Sequence, residues 1–194
     1  MAKFSPQTLA MLTYACGVLG TKSGRLMGRL MAAARPHMAE FKDHELVALV
    51  CAAARLQHTP EEAFVTRWLE VFEARVGTAE GSVLAAGGWA MASLGVRPKA
   101  AWQRAYVSAL AKKVPDLKPT ELSMSVWALG EWVPALDPML VAALGKRVGE
   151  CQPGFNPTVR RNMAWSLMKI RTKSKAKQLA KKADLVTKKA IMVK

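Results

Sequence analysis

The chain has 194 residues, of which 51% are hydrophobic, so it is long enough to build one domain with a sizeable core and is not a disordered tail. Its formal net charge of +15 is too one-sided for a typical soluble enzyme and predicts a polyanionic partner, such as nucleic acid or an acidic membrane surface. Three cysteines without a CxxC pair and three histidines without a ligand spacing argue against a disulfide scaffold and a zinc site.

Two uncharged stretches raise the question of a membrane span, Phe4 to Thr21 and Gly81 to Val96. The first is interrupted by polar residues and the second by glycines and serines, so both are predicted to be buried helices, and no membrane partner is expected. Residues 1–39 also contain no acidic residue but five basic ones, a composition that organelle transit peptides share.

Internal repetition is the strongest feature of the sequence. Five lines that begin at Phe4, Phe41, Ala79, Leu117 and Phe155 are spaced by 37 or 38 residues. Numbering each line from its first residue, position 6 is occupied by Leu9, Leu46, Leu84, Leu122 and Arg160. Position 11 is occupied by Tyr14, Cys51, Trp89, Trp127 and Trp165, and position 12 by alanine or serine. Positions 24 and 28 hold the large apolar residues Met27, Phe64, Trp102 and Leu140, and Met31, Trp68, Tyr106 and Leu144.

Each line is predicted to form two helices, because its apolar residues recur at i, i+3, i+4 and i+7. Pairs such as Ser5-Pro6 and Asn156-Pro157 are typical of a helix start, where the side chain caps a free N–H and proline follows. One helix pair cannot bury its own apolar face, so the pairs must stack. The sequence therefore predicts an all-α protein: an α-solenoid of about five 38-residue helix-turn-helix repeats over residues 1–170, with a basic extension over residues 171–194.

The repeat register also covers the N-terminal stretch that lacks acids. Leu9, Tyr14, Leu19, Met27 and Met31 all stand at repeat positions. We therefore interpret the first line as a degenerate capping repeat, with a transit peptide as the alternative.

The first-helix sequences of the last two lines resemble those of a known repeat family. Residues 119–132, PTELSMSVWALGEW, and residues 157–168, PTVRRNMAWSLM, are similar to the first helix of octotricopeptide repeats in their Leu, Trp-Ala-Leu and terminal apolar positions. The resemblance covers about residues 4–170. It implies a helical-repeat protein that binds RNA in an organelle. The proline run that often precedes the second helix in that family is reduced here to Pro98 or Pro138.

Three functions remain open. The first is an rRNA-binding structural subunit of an organellar, mitochondrial ribosome, with ribosomal proteins as further partners; the second is a transcript-specific organellar factor for RNA maturation, stability or translation; the third is a protein-only scaffold. Five repeats that each read one base would specify only five nucleotides, which match too many RNAs to single out one message unaided. This favours the ribosomal subunit. No catalytic constellation is present, so neither an enzyme nor a cofactor or metal is expected. The expected location is the mitochondrion, with the chloroplast as the alternative.

Two sets of residues are candidates for RNA contact. The extension carries nine Lys or Arg against one acid and would neutralise phosphates, although it could also be an ordinary final helix packed on the last repeat. Position 4 is polar in every line and could hydrogen-bond base edges, although helix N-terminal polarity and capping are the favoured explanation of this pattern. The candidate residues are Arg160, Arg161, Arg171, Lys173, Lys175, Lys177, Lys181, Lys182, Lys188, Lys189, Thr120 and Thr158.

The tryptophans at position 11 allow two interpretations. Trp89, Trp127 and Trp165 could stack on bases, but aromatic residues flanked by Ala and Leu at helical spacing usually lie in a core. We expect them to be buried between helices.

Overall fold

A computed structural model describes residues 4–21, 23–132 and 136–192, with side chains described up to residue 176. Helices account for all the regular secondary structure in these ranges. The α-helices are α1 (Pro6–Leu19), α2 (Gly24–Ala34), α3 (Asp43–Leu56), α4 (Glu62–Glu73), α5 (Gly81–Ser93), α6 (Ala100–Lys113), α7 (Pro119–Trp132), α8 (Pro138–Cys151) and α9 (Pro157–Met192). Three short 3₁₀ helices span Arg35–Glu40, Val114–Asp116 and Gln152–Gly154. None of the described helices combines the length and the apolar character that a bilayer crossing requires.

The helices form two layers. The odd-numbered helices stack side by side in chain order, α1 against α3, α3 against α5, α5 against α7 and α7 against α9, and the even-numbered helices pack on one side of this row. The odd-numbered helices begin at residues 6, 43, 81, 119 and 157, with the spacing of the sequence repeat. This architecture is consistent with the predicted α-solenoid. The described residues contain four helix pairs and a fifth first helix.

The starts of the first helices are set by side chains at two repeat positions. At position 2, Ser5 Oγ accepts from the N–H of Thr8 at 3.2 Å and Asn156 Oδ1 accepts from the N–H of Val159 at 2.9 Å. In α3 and α7 the acid at position 5 reaches back instead: Glu45 and Glu121 accept the backbone N–H at position 2 at 2.8 and 2.9 Å. Capping of the first helices is therefore carried out by positions 2 and 5.

In each of the first three lines the first helix is followed, at position 17, by a residue in the left-handed conformation. The residues are Gly20, Gln57 and Gly95, with φ of 65°, 52° and 72°. In the last line Arg171 stands at this position, and α9 continues to Met192. Helix α9 thus crosses the predicted boundary between residues 170 and 171 without a break, and the division of the chain there stays a prediction.

The core lies between the two layers and is centred on positions 6, 24 and 28. The position 6 leucines of the first four lines are at most 2% exposed. Trp68 Nε1 donates to the carbonyl oxygen of Leu46 at 2.9 Å, and Tyr106 Oη donates to that of Leu84 at 3.0 Å. In each case the ring at position 28 of the second helix packs against position 6 of the first helix in the same repeat. The recurring apolar residues at these positions therefore form the core of the first four lines.

Helix α1 departs from the prediction that its stretch is a buried helix. Leu12 is 40% exposed and Leu19 is 79% exposed, because no described element packs against the outer side of this helix. At the matching positions 9 and 16 of the next line, Leu49 is fully buried and Leu56 is partly buried. The exposed side of α1 is thus apolar at these two positions, and the interpretation of the first line as a degenerate capping repeat stays a prediction.

Candidate nucleic-acid interface

Within the described ranges, one side of the row of first helices is not covered by second helices. It is formed by positions 4, 8, 11 and 15 of α1, α3, α5, α7 and α9, whose spacing of four, three and four residues places them on one side of each helix. We call this surface the first-helix face. It is the surface on which equivalent side chains from successive repeats stand next to one another.

Position 4 forms a polar ladder along this face. All five side chains are exposed: Gln7, His44, Ser82, Thr120 and Thr158. The capping bonds of the first helices are made at positions 2 and 5, so capping does not account for this polarity. Thr120 and Thr158, both predicted as contacts, stand on neighbouring helices of the ladder.

Position 11 adds aromatic rings to the same face. Trp165 is 47% exposed and Tyr14 is 51% exposed, while Trp89 and Trp127 are partly buried. The Trp127 and Trp165 rings lie 6.2 Å apart between centroids, at an interplanar angle of 33°. The expectation that these tryptophans are core residues is therefore wrong for Trp165 and only partly right for Trp89 and Trp127. The reason is that none of the described second helices covers this side of the row.

Cations stand beside the two most exposed rings. Lys169 Nζ lies 4.7 Å from the centroid of the Trp165 ring, and it also pairs with Glu131 at 2.8 Å. Arg55 Cζ lies 6.0 Å from the centroid of the Tyr14 ring. Neither Lys169 nor Arg55 was a predicted contact. The i, i+4 spacing of Trp165 and Lys169 was a signal for the first pair, whereas Arg55 and Tyr14 come from different repeats and meet only in the folded chain.

A groove of about 370 Å³ opens on this face between α7 and α9. Its volume lies in the range of ligand pockets, roughly 300 to 1,000 Å³. The polar lining comes from Thr120, Ser123, Asn156 and Asn162, and the aromatic lining includes Trp89 and Trp127. The indole nitrogen of Trp127 is buried and has no hydrogen-bond partner within the described structure. The groove thus combines aromatic surface with several polar groups.

The predicted basic contacts do not gather in this groove. Lys173 Nζ donates to the carbonyl oxygen of Gly130 at 2.9 Å, and burial lowers the pKa of this lysine. Arg160, Arg171 and Lys175 line a second groove, between α8 and α9. Arg161 is exposed on α9. The side chains of Lys177, Lys181, Lys182, Lys188 and Lys189 lie outside the described ones.

A row of stacked helix pairs is consistent with an α-solenoid, an architecture whose extended surfaces commonly serve binding. The chain belongs to the family of the Tbc2 translation factor N-terminal domain, whose family model matches residues 1–134, from α1 through α7. No curated protein is significantly similar to it in sequence. The resemblance to octotricopeptide repeats stays a prediction.

Proposed function

We propose that this protein is a non-catalytic, transcript-specific RNA-binding factor that acts in organellar translation and holds single-stranded RNA along its first-helix face. Membership of a translation-factor family supports this function over a structural ribosomal subunit, which the repeat count alone had favoured. A protein-only scaffold would not account for the net charge of +15, which favours a polyanionic partner. The mitochondrion is the proposed location, with the chloroplast as the alternative.

The observation that carries the proposal is the coincidence of two ladders on one exposed face. Polar side chains read the edges of unstacked bases, and aromatic rings stack on their faces. Position 4 supplies a polar side chain in all five lines, and position 11 supplies a ring in every line except the second, where Cys51 stands. A single strand laid across the row would meet both kinds of side chain in four of the five lines.

The groove between α7 and α9 is the place where we propose that one base is held. Thr120 and Asn162 offer a hydroxyl and an amide, which together can donate and accept hydrogen bonds. A bound acceptor that reached Trp127 Nε1 would relieve the cost of a buried donor without a partner. Trp165 presents an exposed ring beside this groove, next to the Lys169 ammonium.

Phosphate contacts would be supplied from outside the groove. Lys169 and Arg55 lie on the first-helix face, and the lysines of residues 177–194 follow at the end of α9. Contacts of this kind raise affinity for every RNA without selecting among sequences. Selectivity in this proposal therefore depends on positions 4 and 11.

The direct test is selection from a pool of random single-stranded RNA by the full chain at near-physiological salt. We expect an enriched motif a few nucleotides long, and we expect it to change when Thr120 and Asn162 are both replaced by alanine. A pool that emerges without any enriched motif, or the same motif from the double variant, would overturn sequence reading by this face.

Sedimentation of organelle lysate separates the candidate functions. A transcript-specific factor is expected in light complexes that RNase disperses. Migration with ribosomal subunits that survives mild RNase treatment would instead support the ribosomal subunit, and sedimentation insensitive to RNase without ribosomes would support the scaffold. A fluorescent fusion of the full-length protein tests the proposed location.

A further inference from the structure

A second groove, of about 470 Å³, opens between α8 and α9. Its apolar lining comes from Val148, Phe155, Met163, Leu167 and Met168. Its charged lining is Arg160, Arg171 and Lys175, and no acidic residue among the described side chains contributes to it. The groove does not belong to the first-helix face, because it contains positions 6, 13 and 17 of α9 instead of positions 4, 8, 11 and 15.

This groove occupies the slot between a first helix and the second helix of the preceding repeat, and the third repeat shows which element fills the equivalent slot there. Helix α6 lies there: Tyr106 donates to the position 6 carbonyl of Leu84 on α5, and Trp102 stacks on Phe72 of α4 with ring centroids 6.1 Å apart. The slot between a first helix and the preceding second helix is thus filled by the second helix of the same repeat. Phe72 stands at position 32, and the position 32 residue of α8 is Val148, which lines the open groove.

The last line has no second helix in the described part of the chain. Helix α9 lacks the left-handed residue at position 17 that ends α1, α3 and α5, and it runs on past the slot. At position 6 an exposed Arg160 replaces the buried leucine of the other lines. Met168, which is 61% exposed, occupies position 14, where the first four lines have Gly or Ala.

We propose that this slot binds an amphipathic, acidic α-helix of a partner protein, which lies where the second helix lies in the third repeat. The shape argument is that a helix fills the same slot in the third repeat. The charge argument is that the described lining contains three cations and no acid, so that acidic flanks on the incoming helix are favoured. The apolar surface argues for a helix over RNA, because an anchor at every third or fourth residue fits a groove of this kind.

The probe for a direct test is a peptide with the sequence of residues 61–73 of this chain. It contains α4, whose Phe64 and Trp68 are 2% and 0% exposed where they fill the slot of the second repeat. It carries four Glu against one Arg, so its charge is opposite to that of the groove. A hydrocarbon staple that replaces Ala63 and Arg67, both exposed on α4, keeps the peptide helical and leaves its four Glu as the charged side chains.

Binding of the labelled stapled peptide to the full chain is measured by fluorescence anisotropy. We expect saturable binding that weakens about tenfold in Met168→Glu, because the substitution adds an acid to the groove without touching the core. The matched control is Met139→Glu, since Met139 is 79% exposed on α8 and does not line the groove. Arg171→Glu is expected to weaken binding several-fold, with Arg104→Glu as its control.

Several outcomes would overturn the proposal. The first is that the stapled peptide shows no saturable binding. The second is that a stapled peptide carrying Phe64→Ser and Trp68→Ser binds as tightly as the unsubstituted one. The third is that Met168→Glu and Met139→Glu lower the affinity for the peptide equally. A single-stranded RNA that displaces the peptide, and whose own binding falls in Met168→Glu, would assign the groove to RNA. None of these results tests the first-helix face, so failure here leaves the proposed function untouched.

Discussion

The hydroxyl of Tyr106 donates to the carbonyl oxygen of Leu84 at 3.0 Å across the place where Gly88 has no side chain. A Cβ atom on Gly88 would overlap Tyr106 Oη. Tyr106 of the second helix can thus reach Leu84 of the first helix because Gly88, one turn after Leu84, has no Cβ atom in the way. This hydrogen bond joins the two helices of the repeat.

Replacing Gly88 with alanine is therefore expected to destabilise the protein by about 1–3 kcal/mol, because the Tyr106 ring must move in a well-packed core. The measurement is urea unfolding followed by circular dichroism. The control is Gly149→Ala, since Gly149 is helical with no atom within 4 Å of the added carbon, and it is expected to be neutral or slightly stabilising. Equal stability of the two variants would mean that Tyr106 does not occupy this gap in solution.

Trp68 and Trp165 are expected to contribute to different properties, the first to the stability of the fold and the second to RNA affinity. Trp68→Ala removes a fully buried ring and should cost about 3–5 kcal/mol of unfolding free energy. Trp165→Ala removes a half-exposed ring and should cost much less. It should nonetheless weaken single-stranded RNA binding by about 1–3 kcal/mol, the contribution of one stacked base.

Thermal melts and RNA titrations on the two variants check this pair of outcomes. An RNA affinity of Trp165→Ala equal to that of the unsubstituted chain would remove position 11 from the binding face. A large loss of stability in the same variant would show that Trp165 is a core residue after all.

Substituting Thr120 and Thr158 together by alanine is expected to change which RNA sequences are preferred while leaving the average affinity nearly unchanged. The reason is that base-edge contacts discriminate between sequences whereas phosphate contacts do not. Competition binding with a panel of short RNAs measures the preference. Thr66→Ala, an exposed threonine on α4, is the control and should alter nothing. An unchanged preference in the double variant would exclude position 4 from the interface.

Truncation after Ala176 is expected to reduce affinity for unrelated RNAs alike. It removes six lysines and one aspartate but retains Ser174, whose hydroxyl bonds both the N–H and the carbonyl of Leu136. If about four of the lysines contact phosphates, the log–log salt slope should flatten by about 3, at roughly 0.7 per contact on a single strand. Titrations at several salt concentrations measure this slope. Retention of both the slope and the affinity would place the phosphate contacts on the repeats instead.

The helical class, the period of 38 residues and the buried positions 6, 24 and 28 could all be predicted before any coordinates. These depend on local helix spacing and on the need of each helix pair to bury its apolar side. The exposure of Trp165 could not be predicted, because an aromatic residue beside Ala and Leu is compatible with either side of a first helix. Only the stacking direction of the helices decides which side the second helices cover.

The sequence by itself determined that this protein is a stack of helix pairs with a strongly basic end, because periodic apolar residues and net charge are properties of the chain and not of its contacts. The tertiary structure decided which surfaces stay open. It placed the position 4 and position 11 residues of five helices on one face, and it separated Arg160, Arg171 and Lys175 into a different groove. The physical reason is that exposure depends on which neighbouring helix covers a residue, and that neighbour is a full repeat away in the sequence.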